Sequence, residues 1–256
     1  MTDDTILTRL EGHVALVELN SGPHNFFSEA LLGNLTAKLQ ELDGNPDCRA
    51  VVLAARGKSF CAGADFGAGI KPSQIPAVAK RLYQSAQALF ELKKPLVAAI
   101  QGPAIGGGLG LALTADFRVA CAEAKLAANF AQLGMHCGFA ISASLPHTIG
   151  MQAAARLLLT GCRINGQEAK EMGLVDVLVG KDEVLERALA FAQELASAAP
   201  LAVQSMKATL RANLLQVVPA TLARELAQQE AQVLSADFVE GIQASLQRRA
   251  PAFVGR

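Results

Sequence analysis

Two glycine-rich segments contain the residues of this chain that are best suited to chemistry. The first is residues 57–71 (GKSFCAGADFGAGIK), and the second is residues 102–110, which lead into a short apolar helix. Neither has the G-x-x-x-x-G-K-[ST] spacing of a phosphate-binding loop or a strand–GxGxxG–helix pattern. Glycine beside a helix start also lets backbone N–H groups approach a ligand oxygen closely. One N–H group from each segment could therefore form an oxyanion hole, and the alternative is that the glycines only make tight turns.

A second group of chemically capable side chains follows further along the chain. His136 and Cys137 lie in the loop LGMHCGF, and histidine titrates near neutral pH. His136 is either a general acid/base or a loop histidine that hydrogen-bonds to backbone. Cys137 is less suited to act as a nucleophile with it, because adjacent side chains usually point apart. The sole tyrosine, Tyr83, either reaches a ligand with its hydroxyl or packs in the core.

Composition excludes several classes of protein. The chain has 256 residues, 51% hydrophobic and 18% charged, enough for a large core, and its formal net charge is +0. A neutral chain without a basic run is not expected to bind nucleic acid. Its N-terminus lacks the pattern of a signal peptide, and charge or proline interrupts every apolar run, which predicts no membrane span. The five unevenly spaced cysteines predict reduced thiols, so we expect a cytoplasmic protein without a structural metal.

The sequence around the two glycine-rich segments predicts an α/β fold that positions them. Short apolar runs predict buried strands before and after each segment, and helical periodicity predicts the crossovers. Ser28 is a predicted N-cap, and the Gly-Asn-Pro run at 44–46 is a predicted helix stop. The predicted strands are 13–19, 49–55, 95–100, 116–120 and 174–179, and the predicted helices in this part are 29–42 and 75–92.

The C-terminal part reads as helical. The predicted helices are 182–197, 200–213, 219–234 and 236–248, with Pro200 and Pro219 each in a first turn, where proline is tolerated. We therefore predict an α/β core over residues 1–190 and a helical region over residues 191–256.

Four motifs, in order, resemble the crotonase (enoyl-CoA hydratase/isomerase) superfamily. They are GKSFCAGADF at 57–66, QGPAIGGGLGLALTAD at 101–116, LTGCRINGQEAKEMGLVD at 159–176 and FVEGIQASLQRRAPAFVG at 238–255. The resemblance covers nearly the whole chain. It implies a core of ββα spiral turns with a helical C-terminal trimerisation part, and a homotrimer or hexamer.

The resemblance also implies a ligand and a site. The substrate would be an acyl-CoA thioester, with no cofactor other than the coenzyme A of the substrate and no metal. The two oxyanion N–H donors would be Ala64 and Gly107. The residues expected to line the groove for CoA and the acyl group are Asn25, Ala62, Asp65, Phe66, Gly110, Phe130 and Gly134.

The chain departs from the resemblance at the acid/base positions. The two glutamates of a hydratase would fall at Gly110 and Phe130, the second counted from the anchor Gly134, and a third family carboxylate would fall near Gly138. None of these residues transfers a proton, whereas water addition needs a base and an acid. By elimination, His136 is the expected proton carrier if the protein transfers protons.

Three functions remain open at this point. The leading hypothesis is an acyl-CoA lyase or isomerase that stabilises a thioester enolate. A decarboxylase-type member is one alternative, because loss of CO₂ needs no base, and a non-catalytic acyl-CoA-binding protein is another. An RNA-binding member is disfavoured by the neutral charge, since only Arg248–Arg249 is locally basic.

Overall fold

The computed structural model describes residues 5–64 and 74–256, and its frame is a six-stranded sheet. The strand order is β1-β2-β3-β4-β6-β9. The hairpin β1–β2 is antiparallel and every other neighbouring pair is parallel. The strands are β1 Ile6–Glu11, β2 Val14–Leu19, β3 Ala50–Ala55, β4 Leu96–Ile100, β6 Phe117–Cys121 and β9 Val177–Val179.

A second, smaller sheet lies where the chain leaves β4 and β6. Its order is β5-β7-β8, with β5 parallel to β7 and β7 antiparallel to β8. The strands are β5 Ala104–Ile105, β7 Lys125–Ala127 and β8 Arg163–Asn165. Since β5 is part of the second glycine-rich segment, this sheet fixes that segment against the rest of the core.

Nine helices in the described ranges pack around these sheets. Their bounds are α1 Glu29–Gly44, α2 Ile75–Phe90, α3 Gly107–Thr114, α4 Ile141–Ile149, α5 Met151–Thr160, α6 Gly166–Glu171, α7 Val184–Ser197, α8 Pro200–Gln232 and α9 Ala236–Gln247, with a short 3₁₀ turn at Asn129–Leu133. None of them combines the length and the apolar character needed to cross a lipid bilayer. The predicted α/β core with a helical C-terminal part is confirmed.

Local signals located several helix ends correctly. The Ser28 hydroxyl accepts the Leu31 N–H at 3.0 Å, which confirms the predicted N-cap of α1. That helix ends at Gly44, as the Gly-Asn-Pro run predicts. The predicted domain boundary after residue 190 falls inside α7, which packs on β3, β4 and β6. That helix therefore covers the α/β sheet.

The prediction of two helices at 200–213 and 219–234 is wrong, because α8 runs unbroken through Pro219. A proline inside a helix costs about 3 kcal/mol or more. Burial of three apolar side chains around it offsets that cost, namely Leu214, Val218 and Leu222.

A buried ionic cluster joins α8 to the main sheet. The Asp116 carboxylate lies 2.8 Å from Lys207 Nζ and 3.2 Å from Arg211 Nη1. It also accepts the Leu96 N–H at 2.8 Å. Asp116 is thus a structural anchor for the first half of α8. The second half of α8 contacts α2 through Gln229 and Tyr83, and α4 through Glu225 and Ser142.

Candidate active site

A cavity of about 390 Å³ opens between the two glycine-rich segments, α2, the chain at 129–139 and the C-terminal helices. Most of the surrounding side chains are apolar. Those that matter for its chemistry are Ala62, Ala64, Tyr83, Gly107, Phe130, Phe139 and Gln229. Within the described residues, no group of three or more His, Cys, Asp or Glu side chains is placed to hold a metal ion.

Backbone hydrogen bonds join the two glycine-rich segments. Cys61 donates its N–H to the Pro103 carbonyl at 3.1 Å, and Ile105 donates to the Cys61 carbonyl at 3.0 Å. Gly63 has a φ of +78°, and a Cβ on it would lie 2.6 Å from the Ile105 carbonyl oxygen. A glycine is therefore required there for both its conformation and the close approach of the second segment.

The start of α3 is packed too closely for side chains. A Cβ on Gly108 would lie 2.0 Å from the Cys61 carbonyl oxygen, and one on Gly107 would lie 2.5 Å from Cε2 of the Phe27 ring. The glycines of this segment thus bring the first turn of α3 directly against the loop that contains Gly63.

Two backbone N–H groups at this junction are available to a ligand. Ala64 and Gly107 both border the cavity. Within residues 5–64 and 74–256, neither N–H donates a hydrogen bond. Gly107 is also the first residue of α3, where the helix dipole adds positive potential. Such a pair can bind an oxygen atom that gains negative charge.

Ala62 and Phe130 border the cavity, as predicted, whereas Asn25 does not. Asn25 is fully buried with a φ of 47°, and its amide donates to the carbonyls of Arg56 and Ser59 at 2.7 and 3.0 Å. Its Oδ1 accepts the Ser21 N–H at 2.9 Å. These contacts correct the predicted substrate-binding role, because the amide is used to hold the preceding loop in place.

Gly110 and Gly134 are also absent from the cavity wall. A Cβ on Gly110 would lie 2.7 Å from Cβ of Phe139, so the Phe139 side chain separates Gly110 from the cavity. Gly134 has a φ of 71° and ends the 3₁₀ turn, where a Cβ would lie 2.5 Å from the Asp237 carbonyl oxygen. Both glycines serve packing, which corrects their predicted contact with substrate.

Phe139 was not predicted as part of the site, yet it borders the cavity. Its ring stacks on Phe27 with centroids 5.4 Å apart. Phe139 and Ala140 both have left-handed backbone, with φ of 64° and 55°. Such conformations cost about 1–3 kcal/mol for a residue other than glycine. The surrounding contacts must therefore hold this segment in place.

Glu225, on α8, provides those contacts. Its buried carboxylate accepts the N–H groups of Ala140 at 2.7 Å and Ser142 at 3.0 Å, and the Ser142 hydroxyl at 2.6 Å. Burial raises the pKa of Glu225, and the hydrogen bonds from Ser142 oppose that rise. This glutamate is a positioning residue that sequence reasoning missed. Nothing in the local pattern of α8 shows that its partner lies 85 residues away.

His136 is not among the residues that border the cavity, so its position gives no support to the expected role as proton carrier. Its Nδ1 lies 2.8 Å from the carbonyl oxygen of Cys137, so the ring is bound to its own loop. The Cys137 thiol lies 3.7 Å from a Glu225 oxygen, and burial raises its pKa, which disfavours a nucleophilic thiolate. The expectation that His136 only hydrogen-bonds to backbone agrees with these contacts.

Tyr83, for which the sequence left open both packing in the core and contact with a ligand, borders the cavity. Its hydroxyl donates to Gln229 Oε1 at 2.7 Å. A Cβ on Gly138 would lie 1.8 Å from that hydroxyl oxygen. The space beside Gly138 is thus filled by the Tyr83 hydroxyl. The predicted contacts of Asp65 and Phe66 lie outside the described residues.

The chain matches the family model for enoyl-CoA hydratase/isomerase over residues 9–256. One relative is the (E)-benzylidenesuccinyl-CoA hydratase of Thauera aromatica, 33% identical, with 98% of this chain and 99% of the relative covered. Another is an enoyl-CoA isomerase/hydratase of Mycosarcoma maydis, 32% identical, with 91% of this chain and 89% of the relative covered.

Solved structures agree with the sequence relatives. The crystal structure of enoyl-CoA hydratase/isomerase from Pseudoalteromonas atlantica T6c superposes with a TM-score of 0.87 at 31% identity, covering 98% of this chain and all of that one. An enoyl-CoA hydratase from Bacillus anthracis gives a TM-score of 0.79 at 33% identity, with 99% and 100% covered. These matches extend over the α/β core and the helical C-terminal part alike.

Proposed function

Since the chain belongs to the enoyl-CoA hydratase/isomerase family, we propose that it is an enzyme that binds an acyl-CoA thioester and stabilises its enolate between the N–H groups of Ala64 and Gly107. The observation that supports this most strongly is their position at one cavity with no acceptor among the described residues. Donors held in place before the reaction stabilise the developing oxyanion without reorganisation. Coenzyme A enters as part of the substrate, and no further cofactor is proposed.

The wall of the cavity favours one kind of enolate chemistry. Among the described residues that border it, none is an aspartate, a glutamate or a histidine. Hydration needs a base for water, and isomerisation needs a base for a carbon-bound proton. In a decarboxylation the electron pair of the breaking C–C bond becomes the enolate, so no base is needed. A lyase that forms the enolate by C–C cleavage is therefore the second, narrower proposal.

Acetoacetyl-CoA should bind saturably in this cavity, because its thioester oxygen can accept both N–H groups. Isothermal calorimetry measures the binding directly. A variant that fills the cavity, Ala79→Phe, should bind more weakly, because Ala79 borders the cavity from α2. Absence of binding heat at millimolar ligand with the unaltered protein would contradict the proposal.

Turnover needs a separate experiment. Malonyl-CoA, methylmalonyl-CoA, crotonyl-CoA and a 3-enoyl-CoA should be incubated with the protein and analysed by mass spectrometry. Loss of CO₂ from the malonyl-type thioesters is the expected change. Binding without conversion of any thioester would favour the non-catalytic alternative.

The His136→Gln variant should retain its activity on whichever thioester is converted. Glutamine can still donate to the Cys137 carbonyl, as His136 does through Nδ1, but it does not titrate. Loss of a general acid or base costs about 10²–10⁴-fold in rate. A decrease of that size, measured as kcat in steady-state assays of a folded variant, would show that His136 acts as a general acid or base.

We also propose that the protein is cytoplasmic and assembles as a homotrimer or hexamer. Large apolar side chains are exposed along α8, with Leu201 80%, Leu210 77% and Met206 57% exposed. Clusters of exposed large apolar side chains are usually covered in an interface between subunits. The exposed apolar side chains of α8 therefore support an assembly through the helical C-terminal part.

A further inference from the structure

Tyr83, the sole tyrosine of the chain, borders the cavity, and so do Gly138 and Gln229, the two residues that its hydroxyl lies against. Among the described residues that border this cavity, the titratable side chains are Tyr83 and Arg163. A guanidinium stays protonated in proteins and gives up no proton under ordinary conditions. Among the described residues of this wall, the Tyr83 hydroxyl is therefore the titratable group that can exchange a proton with a ligand.

The position of that hydroxyl is fixed by a glycine and an amide. Gly138 leaves room for it, since a Cβ there would lie 1.8 Å from the hydroxyl oxygen. Gln229 accepts a hydrogen bond from the Tyr83 hydroxyl through Oε1 at 2.7 Å. Its Nε2 donates a hydrogen bond to the His136 carbonyl at 2.9 Å. The second hydrogen bond determines which end of the amide faces Tyr83. The hydroxyl is thus held at one point of the wall between α2 and α8.

The surroundings keep the phenol neutral. Tyr83 is 9% exposed, and burial raises the pKa of its hydroxyl well above the usual range, with the Glu225 carboxylate raising it further. A phenol in this state is protonated throughout the neutral range. It can donate a proton to a strong carbon base such as an enolate, but it is not available as a base.

We propose that Tyr83 is the catalytic proton donor of this site and delivers its hydroxyl proton to the α-carbon of the bound thioester enolate. The inference rests on the proposed function, because it requires an enolate held by Ala64 and Gly107. Gln229 is the positioning residue that holds the hydroxyl at the cavity wall until the enolate forms.

The step balances with water as the other reactant. In a malonyl-type thioester the bond between the α-carbon and the carboxylate breaks, CO₂ leaves, and the electron pair becomes the enolate. The Tyr83 O–H bond then breaks as a C–H bond forms at the α-carbon, and the thioester carbonyl is restored. The phenolate takes a proton from water, which leaves hydroxide for the solvent to neutralise.

The test is the decarboxylation of methylmalonyl-CoA in D₂O, with short incubations. A donor fixed on one side of the enolate should give propionyl-CoA with one deuterium at the α-carbon in a single configuration. The Tyr83→Phe variant should form product about 10²–10⁴-fold more slowly, and its residual product should carry deuterium in both configurations. Mass spectrometry gives the rate, and NMR of a chiral derivative gives the configuration.

The control is Ser144→Ala, which also removes a buried hydroxyl, one that donates to the Ala140 carbonyl at 2.9 Å without bordering the cavity. That variant should keep both rate and configuration. An unchanged rate and configuration in Tyr83→Phe, or a mixed configuration in the unaltered protein, would overturn the role of Tyr83 while leaving the enolate site intact. No conversion by the unaltered protein would instead overturn the C–C cleavage on which the inference rests.

Discussion

Crotonyl-CoA is expected to be hydrated at less than about 10 s⁻¹. Efficient enzymes reach turnover on the order of 10³ s⁻¹, and each missing acid or base costs about 10²–10⁴-fold. Hydration needs both a base that activates water and an acid that protonates carbon. Among the described residues that border the cavity there is no carboxylate or histidine to act as the base, and we propose that Tyr83 is the acid.

The packing at the three positions where the resemblance implies a carboxylate explains why no neighbouring described residue supplies one. Phe139 occupies the space in front of Gly110, and the Tyr83 hydroxyl occupies the space beside Gly138. Phe130 borders the cavity with an aromatic ring. All three positions at which the resemblance predicts a carboxylate thus present apolar or phenolic surface. Burial raises the pKa of Tyr83, which disfavours its use as a base.

The measurement is the loss of the enoyl-thioester absorbance of crotonyl-CoA at saturating substrate. A hydratase of the family, assayed in parallel, is the positive control for the reagent. Turnover on the order of 10³ s⁻¹ would show that another side chain supplies the base. The assignment of the carboxylate positions to Gly110 and Phe130 would then be wrong.

Replacing Gly107 by proline is expected to lower the rate of the thioester reaction by about 10²–10³-fold. Proline has no N–H, so the variant removes one of the two proposed oxyanion donors. The first turn of a helix tolerates proline, and Gly107 is the first residue of α3. The loss should appear mainly in kcat, since the donor acts most strongly on the charged enolate.

Gly107→Ala is the matched control for this variant. A Cβ at residue 107 meets the Phe27 ring in either substitution, at 2.5 Å from Cε2 before any relaxation, but alanine keeps the N–H. The difference between the two variants therefore isolates the hydrogen bond from the steric effect. Equal rates in folded Gly107→Pro and Gly107→Ala would argue against an oxyanion role for this N–H.

Much of the fold could be predicted because its signals are local. The N-cap at Ser28 and the helix stop after Gly44 depend on neighbouring residues alone, and both are present. The prediction that a helix begins at Pro219 was wrong. Proline locally favours a helix start, but burial of the neighbouring Val218 and Leu222 keeps α8 continuous. The packing partners that decide this lie elsewhere in the chain.

The site was predictable only where its residues act through their own backbone. Gly63 and Gly107 are recognisable as glycines that allow close approach, and the structure brings their segments together. The roles of His136 and Tyr83 depend on contacts between distant segments. The Tyr83–Gln229 hydrogen bond, for example, spans 146 residues of sequence. No local pattern distinguishes a tyrosine that packs from one whose hydroxyl reaches the cavity.

The most direct test of the central claim is the ultraviolet difference spectrum of acetoacetyl-CoA bound to the protein. The enolate of this β-keto thioester absorbs in the near ultraviolet, at a wavelength different from that of the keto form. We expect the enolate band to grow saturably with the unaltered protein and with Gly107→Ala, and to be lost in Gly107→Pro. Saturable binding with no enolate band, or an equal band in the proline variant, would contradict enolate stabilisation by Ala64 and Gly107.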